Sequence, residues 1–147
     1  MPGLHRVEQV MGMPVIVDVR DPVEEAVVDD VFAWLREVDA RFSTYRDDSE
    51  VSRLGHGTLA LADAHPDVRW VYARCDELRA VTDGYFDVAA VNGDPSGLVK
   101  GWALDRAGAI LAEAALRNWA VYACGDILLR GAALPEPVWP IGIQLPR

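Results

Sequence analysis

The stretch Asp94-Pro-Ser-Gly-Leu-Val-Lys-Gly-Trp-Ala-Leu-Asp105, with the run Trp119-Ala-Val-Tyr-Ala-Cys124 that follows it, marks where helix gives way to strand in this chain. Ser96 and Gly97 stand where a helix should begin. Trp102, Ala103, Ala107, Ile110, Leu111 and Ala114 then recur at the spacing of one apolar helix face, and Asn118 is expected to close it. Beyond it the text turns β-prone: Trp119 to Cys124, then Ile127 to Arg130 after a Gly125-Asp126 turn, then an alternating run from Val138 to Leu145.

Upstream of this junction the signals are mostly helical. Asp21-Pro22 reads as a capping acid followed by a first-turn proline, with Val23, Val27, Val31, Trp34, Leu35 and Val38 as the buried stripe of a helix ending near residues 39–41. Ser49 is expected to cap a short helix. His65-Pro66 repeats the start signal for a long one whose stripe is Val68, Val71, Tyr72, Cys75, Leu78 and Val81, stopped by Asp83-Gly84. Residues 6–20 read as extended, with Val15, Val17 and Val19 alternating against Ile16 and Asp18, and with a bend or bulge at Met11-Gly12-Met13-Pro14. Helices in a block followed by strands in a block predict an α+β fold, helices packed on a mostly antiparallel sheet, and the length suits a single domain over residues 1–147. The last strand has no evident partner within the chain. That suggests a shortened chain, or self-association through an unpaired C-terminal edge.

Composition narrows the function. Half the residues are hydrophobic (51%) and the net charge is -9, from 23 acidic and 14 basic residues. Nucleic-acid binding through a basic surface is therefore excluded, and an anionic ligand needs local backbone donors, a cation or a metal to hold it. Cys75 and Cys124 lack metal-ligand spacing and read as buried thiols, although spacing leaves a disulfide open. Met1-Pro-Gly-Leu-His-Arg6 has no apolar run after its charge, and no stretch approaches a membrane span, so a cytoplasmic protein is expected.

Chemistry concentrates in three places. At Ser96-Gly97 the free amides of a helix start attract phosphate, Lys100 lies one turn in, and a freed carbonyl suits a hard cation. An ordinary capped helix with a surface lysine has the same spelling. Thr82-Asp-Gly-Tyr-Phe-Asp87 places Asp83 and Asp87 on one loop beside two aromatic rings. Phe42-Ser-Thr-Tyr-Arg-Asp-Asp-Ser-Glu50 offers Tyr45 for stacking and Arg46 for a phosphate, or is a solvated loop.

Taken in order, Met11-Gly12, Phe42 to Leu54, Thr82 to Asp87, Asp94 to Asp105 and Gly125-Asp126-Ile127 resemble the ApbE family, the FAD:protein FMN transferases, over nearly the whole chain. The resemblance implies a T-fold-like architecture, shortened at its C-terminal end. It implies that FAD is bound and that FMN passes from it to a threonine hydroxyl of an acceptor protein, with Mg2+ present and AMP released. Some relatives use water as acceptor instead. It assigns the flavin nucleotide to Met11, Tyr45, Asp83, Gly84, Ser96, Gly97, Lys100 and Asp105, makes Lys100 and Asp83 the catalytic candidates, and gives the Ser96 backbone carbonyl to the metal. Gly55 stands where the family often has asparagine, and Cys124 replaces the first glycine of a Gly-Gly-Asp turn. The stretch between Asp87 and Asp94 is short. The chain also ends before the region that carries the family's His-containing motif and the Asp and Thr that complete the metal site. A non-catalytic flavin-binding remnant is the alternative.

Overall fold

The computed structural model describes residues 3–146. The reading of the N-terminus as lacking a leader thus rests partly on Met1 and Pro2, outside the described residues. The elements run β1 (Leu4–Val10), β2 (Met13–Val19), α1 (Glu25–Phe42), α2 (Glu50–Gly55), α3 (Pro66–Val81), α4 (Ser96–Glu113), β3 (Trp119–Ala123) and β4 (Asp126–Arg130), with 3₁₀ turns at Leu61–Asp63 and Val88–Val91. The α+β expectation holds. No described helix is long and apolar enough to cross a membrane. The chain forms two compact units, one made of residues up to Phe32 and from Asp105 onward, the other of Ala33–Leu104.

In the first unit the four strands form one antiparallel sheet in the order β1-β2-β3-β4. The interruption at Met11-Gly12 is not a bend within one strand but a two-residue hairpin turn. Both residues have positive φ, 54° and 71°, the backbone twist that matches paired strands. Pro14 is tolerated in β2 because pairing with β3 begins only at Val15, opposite Ala123. Cys124 and Gly125 make a second such turn, with φ of 42° and 93°, one residue earlier than expected. Glycine at the first of these positions would relieve a conformation that a side chain resists. Cys124 is exposed and Cys75 buried, and no disulfide joins them, so the two are not both core residues.

Val15, Val17 and Val19 are fully buried on one sheet face, as their alternation predicts, each worth roughly 1.5–3 kcal/mol of burial. In the same unit Arg6 reaches Asp29 at 2.6 Å and Glu25 at 3.0 Å and lies over the Phe32 ring, which anchors the start of α1. Of the stripe read from the sequence, Val23, Val31, Leu35 and Val38 are buried as expected; Val28 and Phe32 join them, Val27 is only half-buried, and the helix starts at Glu25. Asp21 does not cap α1. Its carboxylate accepts the Asn118 backbone N–H at 2.8 Å, the Asn118 side-chain amide at 2.7 Å and the Arg117 N–H. Asn118 is therefore not the end of α4. That helix closes at Ala115, whose φ of 62° lets the Leu116 N–H turn back to the Leu111 carbonyl. Ala114 is exposed rather than on the apolar face.

Residues 138–145 do not form the expected strand. Pro135 and Pro137 break the segment leading into it, Pro140 lies inside it, and β4 is the last strand of the sheet. The segment is held instead by side chains. Arg20 pairs in two-pronged fashion with the buried Asp18 (2.7 and 2.9 Å), donates to the Ala133 and Leu134 carbonyls, and lies over the Trp139 ring.

The second unit buries Leu35, Val38 and Phe42 of α1, Val68, Val71 and Cys75 of α3, and Val99, Ala103 and Leu104 of α4. The Trp102 ring meets Trp34 at 5.2 Å and Phe42 at 5.4 Å, both edge-on, and stacks with Trp70 at 6.0 Å. The Trp34 indole N–H donates to the Ala103 carbonyl at 2.9 Å. Val81 is exposed and falls off the α3 stripe.

Two outcomes follow for the first unit. A Cβ on Gly108 of α4 would lie 2.6 Å from a Leu128 methyl and 2.8 Å from the Trp119 ring. Gly108→Ala gains about 1 kcal/mol of helix propensity but incurs overpacking of about 1–3 kcal/mol. A net loss of stability, read as a lower urea midpoint, is expected. At Asp21, burial alone would push the carboxyl up, but the hydrogen bonds from Asn118 and Arg117 outweigh it and hold its pKa below the ordinary carboxylate range. The folded value is the lower one, so this stabilisation is present at neutral pH and disappears as pH falls through it. Asp21→Ala should lower stability by roughly 1–2 kcal/mol at pH 7, with the gap from wild type closing in acid, as measured by melting across pH.

Candidate functional site

The block from Phe42 to Leu54 is organised by one buried hydroxyl. Ser49 is fully buried; its Oγ donates to the Ser43 carbonyl at 2.6 Å and accepts the Ser52 N–H at 3.1 Å, so it caps α2 as its sequence position predicts. This node folds the polar loop outward. Tyr45 is 96% exposed, and Arg46 pairs with Asp48 at 3.2 Å, which holds its pKa up.

At the end of α3 the backbone makes a tight helix stop. The Gly84 N–H reaches the Arg79 carbonyl and the Asp83 N–H the Ala80 carbonyl. Asp83 itself takes the left-handed position with φ 53°, and Gly84 follows at 80°. Both project into solvent. Thr82 Oγ1 accepts the Phe86 N–H at 2.9 Å and turns that ring toward α4, where a Cβ on Gly97 would lie 3.2 Å from it. The third and fourth blocks quoted above thus meet, through Phe86 and Gly97. At the start of α4, Asp94 Oδ1 accepts both the Ser96 N–H, at 2.9 Å, and the Ser96 hydroxyl. The first amide of the expected phosphate cradle is therefore already engaged by a carboxylate. Lys100 is half-buried one turn along. Met11 and Asp105 belong to the first unit, Met11 in its hairpin turn and Asp105 exposed on α4.

Sequence reasoning missed a cleft of about 600 Å3 in the second unit, formed between α2, the Leu61–Asp63 turn, Tyr72 of α3 and the loop 91–94. Its back wall is set by Tyr72, whose hydroxyl donates to the Gly93 carbonyl at 2.8 Å. Burial, with the nearby Cys75 and Asp94, pushes the phenol up to about 12. The sequence signal was weak: Asn92 and Gly93 both take positive φ, 60° and 76°, in a stretch noted only as short.

The sequence matches the ApbE family over residues 11–93 and 90–147. The chain belongs to the ApbE family. The two matched pieces meet at residues 90–93, in that same short loop. The fold is similar to that of a mutant of the flavin transferase ApbE from Vibrio cholerae (TM-score 0.84, 19% identity, 98% of this chain and 68% of that one). It is also similar to the flavinyl transferase ApbE of Pseudomonas stutzeri in its apo form (TM-score 0.78, 21% identity, 96% and 65%). A third likeness is to the ApbE protein of Thermotoga maritima (TM-score 0.76, 18% identity, 99% and 64%). The chain thus spans about two thirds of the length of these structures, and at such identities the likeness is one of fold. No curated protein sequence matches it.

The residues in hand do not by themselves make the Mg2+ site that the ApbE resemblance implies. Among the described residues no three His, Cys, Asp or Glu side chains come together to hold a metal. A Ser96 carbonyl is a single oxygen where Mg2+ takes six ligands.

Tyr72 gives this region a measurable signature. Its folded pKa, about 12, lies above the unfolded value of 10.0, so its contribution to stability is intact below pH 10 and is lost as pH rises toward 12. In a spectrophotometric titration the slowest-ionising phenol should be this one. Tyr72→Phe should remove that late phase and destabilise the fold by about 1 kcal/mol.

Proposed function

We propose that this chain is the FAD-binding portion of a flavin transferase that moves FMN from FAD to a threonine hydroxyl of an acceptor flavoprotein and releases AMP. The observation that carries this reading is the ApbE family match, which takes in every block quoted from the sequence. The relatives of like fold named above as flavin transferases support it.

In the proposed reaction the threonine Oγ attacks the FMN-side phosphorus of the FAD diphosphate. The bond from that phosphorus to the bridging oxygen breaks, AMP leaves, and the hydroxyl proton passes to the Asp83 carboxylate. Lys100 sets its ammonium against the diphosphate charge, which the net charge of -9 would otherwise repel. Gly84 leaves room for close backbone approach and Tyr45 contacts the nucleotide, while Met11, Gly97 and Asp105 enter the set through the family resemblance alone. Asp94 must yield the Ser96 amide before that amide can serve a phosphate. Mg2+, when bound, would neutralise the diphosphate, with the Ser96 carbonyl as one ligand.

A second reading, a flavin-binding chain without catalysis, is favoured by the absence of a metal-holding cluster among the described residues and by the hold of Asp94 on Ser96. One experiment separates them. The protein is incubated with FAD, Mg2+ and a threonine-bearing acceptor, and the acceptor is examined for covalent flavin fluorescence and the mass gain of FMN. Transfer that falls by about 100-fold in Lys100→Ala supports the transferase. FAD binding with no covalent FMN supports the second reading, and no FAD binding defeats both. FMN and AMP appearing without an acceptor would identify water as the acceptor.

A further inference from the structure

The sheet of the first unit has two edges, and they differ. On β1 the side chains turned toward the helices include Arg6 and Glu8, 3.5 Å apart, and Arg6 is also committed to Asp29 and Glu25. Charges turned inward at an edge oppose the addition of another strand. β4 has no such guard. Asp126-Ile-Leu-Leu-Arg130 puts three aliphatic side chains between two terminal charges, and Ile127 and Leu129 are exposed.

The turn before β4 fixes which backbone groups face outward. With only Cys124 and Gly125 between the strands, Ala123 and Asp126 exchange hydrogen bonds, and so in turn do Val121 with Leu128 and Trp119 with Arg130. The N–H and C=O groups of Ile127 and Leu129 therefore point away from β3. Among the described residues no loop backbone bonds to them. The Trp139 indole donates to the Arg130 carbonyl, a different acceptor.

This strand is complementary to itself. Reversed and centred on Leu128, it sets Ile127 against the partner's Leu129 as a bonded pair and Leu128 against its own copy. Asp126 then faces the partner's Arg130 at both ends, and opposite charges across strands attract. A parallel pairing puts Asp126 against Asp126. A slip by one residue turns Leu128 away from α4, where it packs at Gly108, and a slip by two loses both charge pairs. The centred register also prolongs an apolar row. Val7, Ile16, Tyr122 and Ile127 lie side by side across the four strands, and the partner's Leu129 comes next.

We propose that two copies of this chain join through β4, antiparallel about Leu128, into one continuous sheet. The contact is the same on both copies and closes as a dimer. It places self-association at β4 and not at the run 138–145, and it does not depend on flavin transfer. A five-residue edge is a small interface, so the dimer forms weakly and reversibly.

Sedimentation velocity of the full chain, from about 1 μM to 1 mM, tests it. A monomer–dimer equilibrium is expected, with the Ile127 and Leu129 amides exchanging more slowly as concentration rises. Asp126→Arg and Arg130→Asp each create like-charge pairs and should each weaken the dimer by about tenfold or more. Mixed together, the two variants should associate with each other, because every charge again meets its opposite. A chain that stays monomeric up to 1 mM overturns the proposal. So does association that both variants leave unchanged, which would lie elsewhere, as on the exposed Val138, Ile141, Ile143 and Leu145. Variants that weaken alone but do not recover in the mixture also overturn it. If either variant fails to fold, the concentration dependence of the two wild-type amides decides.

Discussion

The carboxylate of Asp21 draws together residues 96 and 97 positions apart in sequence, and the first unit depends on that closure. It lies just past β2 and takes both backbone donors of the segment that opens β3, together with the Asn118 amide. The start of the last hairpin is thereby set beside the central strand it must pair with. The Asn118 carbonyl returns the tie by accepting the Arg20 N–H at 2.8 Å. Asn118 Oδ1 accepts the Ala132 N–H at the other end of that hairpin. A charged acceptor on backbone donors is among the stronger non-covalent ties available. Here it links segments that no local propensity brings together. Arg20 and Asp18 extend the same corner outward and clasp the segment after β4 by its carbonyls and by the Trp139 ring.

The second unit solves a different problem, the support of long polar loops on a small helical core. Ser49 does so by burying one hydroxyl and satisfying it twice, which leaves the Tyr45 loop outside without stranding a polar group. The stop after α3 does so with backbone alone, since Asp83 accepts the left-handed conformation that more often falls to glycine. Thr82 then aims Phe86 at α4. The glycine at position 97 matters for this packing as well as for any ligand, because a side chain would crowd the ring. Asp94 ties down the start of α4 in a way that competes with an anion, so the electrostatics of the helix start depend on where that one carboxylate lies.

The helix and strand types were legible where a periodic apolar pattern coincided with a chemical boundary. Ser49, His65-Pro66 and the alternation of Val15, Val17 and Val19 needed no tertiary knowledge, because capping and sheet pleat act over a few residues. The errors fell where distant partners competed. Asp21 reads as a helix cap, but two strand-opening amides claim it. Asn118 reads as a helix end, yet Ala115 takes that conformation. Val138 to Leu145 alternate like a strand, yet among the described residues the sheet ends at β4.

The α+β composition, the ApbE blocks in their order and the acidic balance were determined by the sequence alone. Each is a local pattern or a sum over residues, and neither depends on where the chain goes next. Tertiary structure alone decided that Phe86 meets Gly97, that Asp94 occupies the Ser96 amide and that a cleft opens beside Gly55. Those facts are distances between groups carried by separate elements, and such distances arise only once the chain has packed.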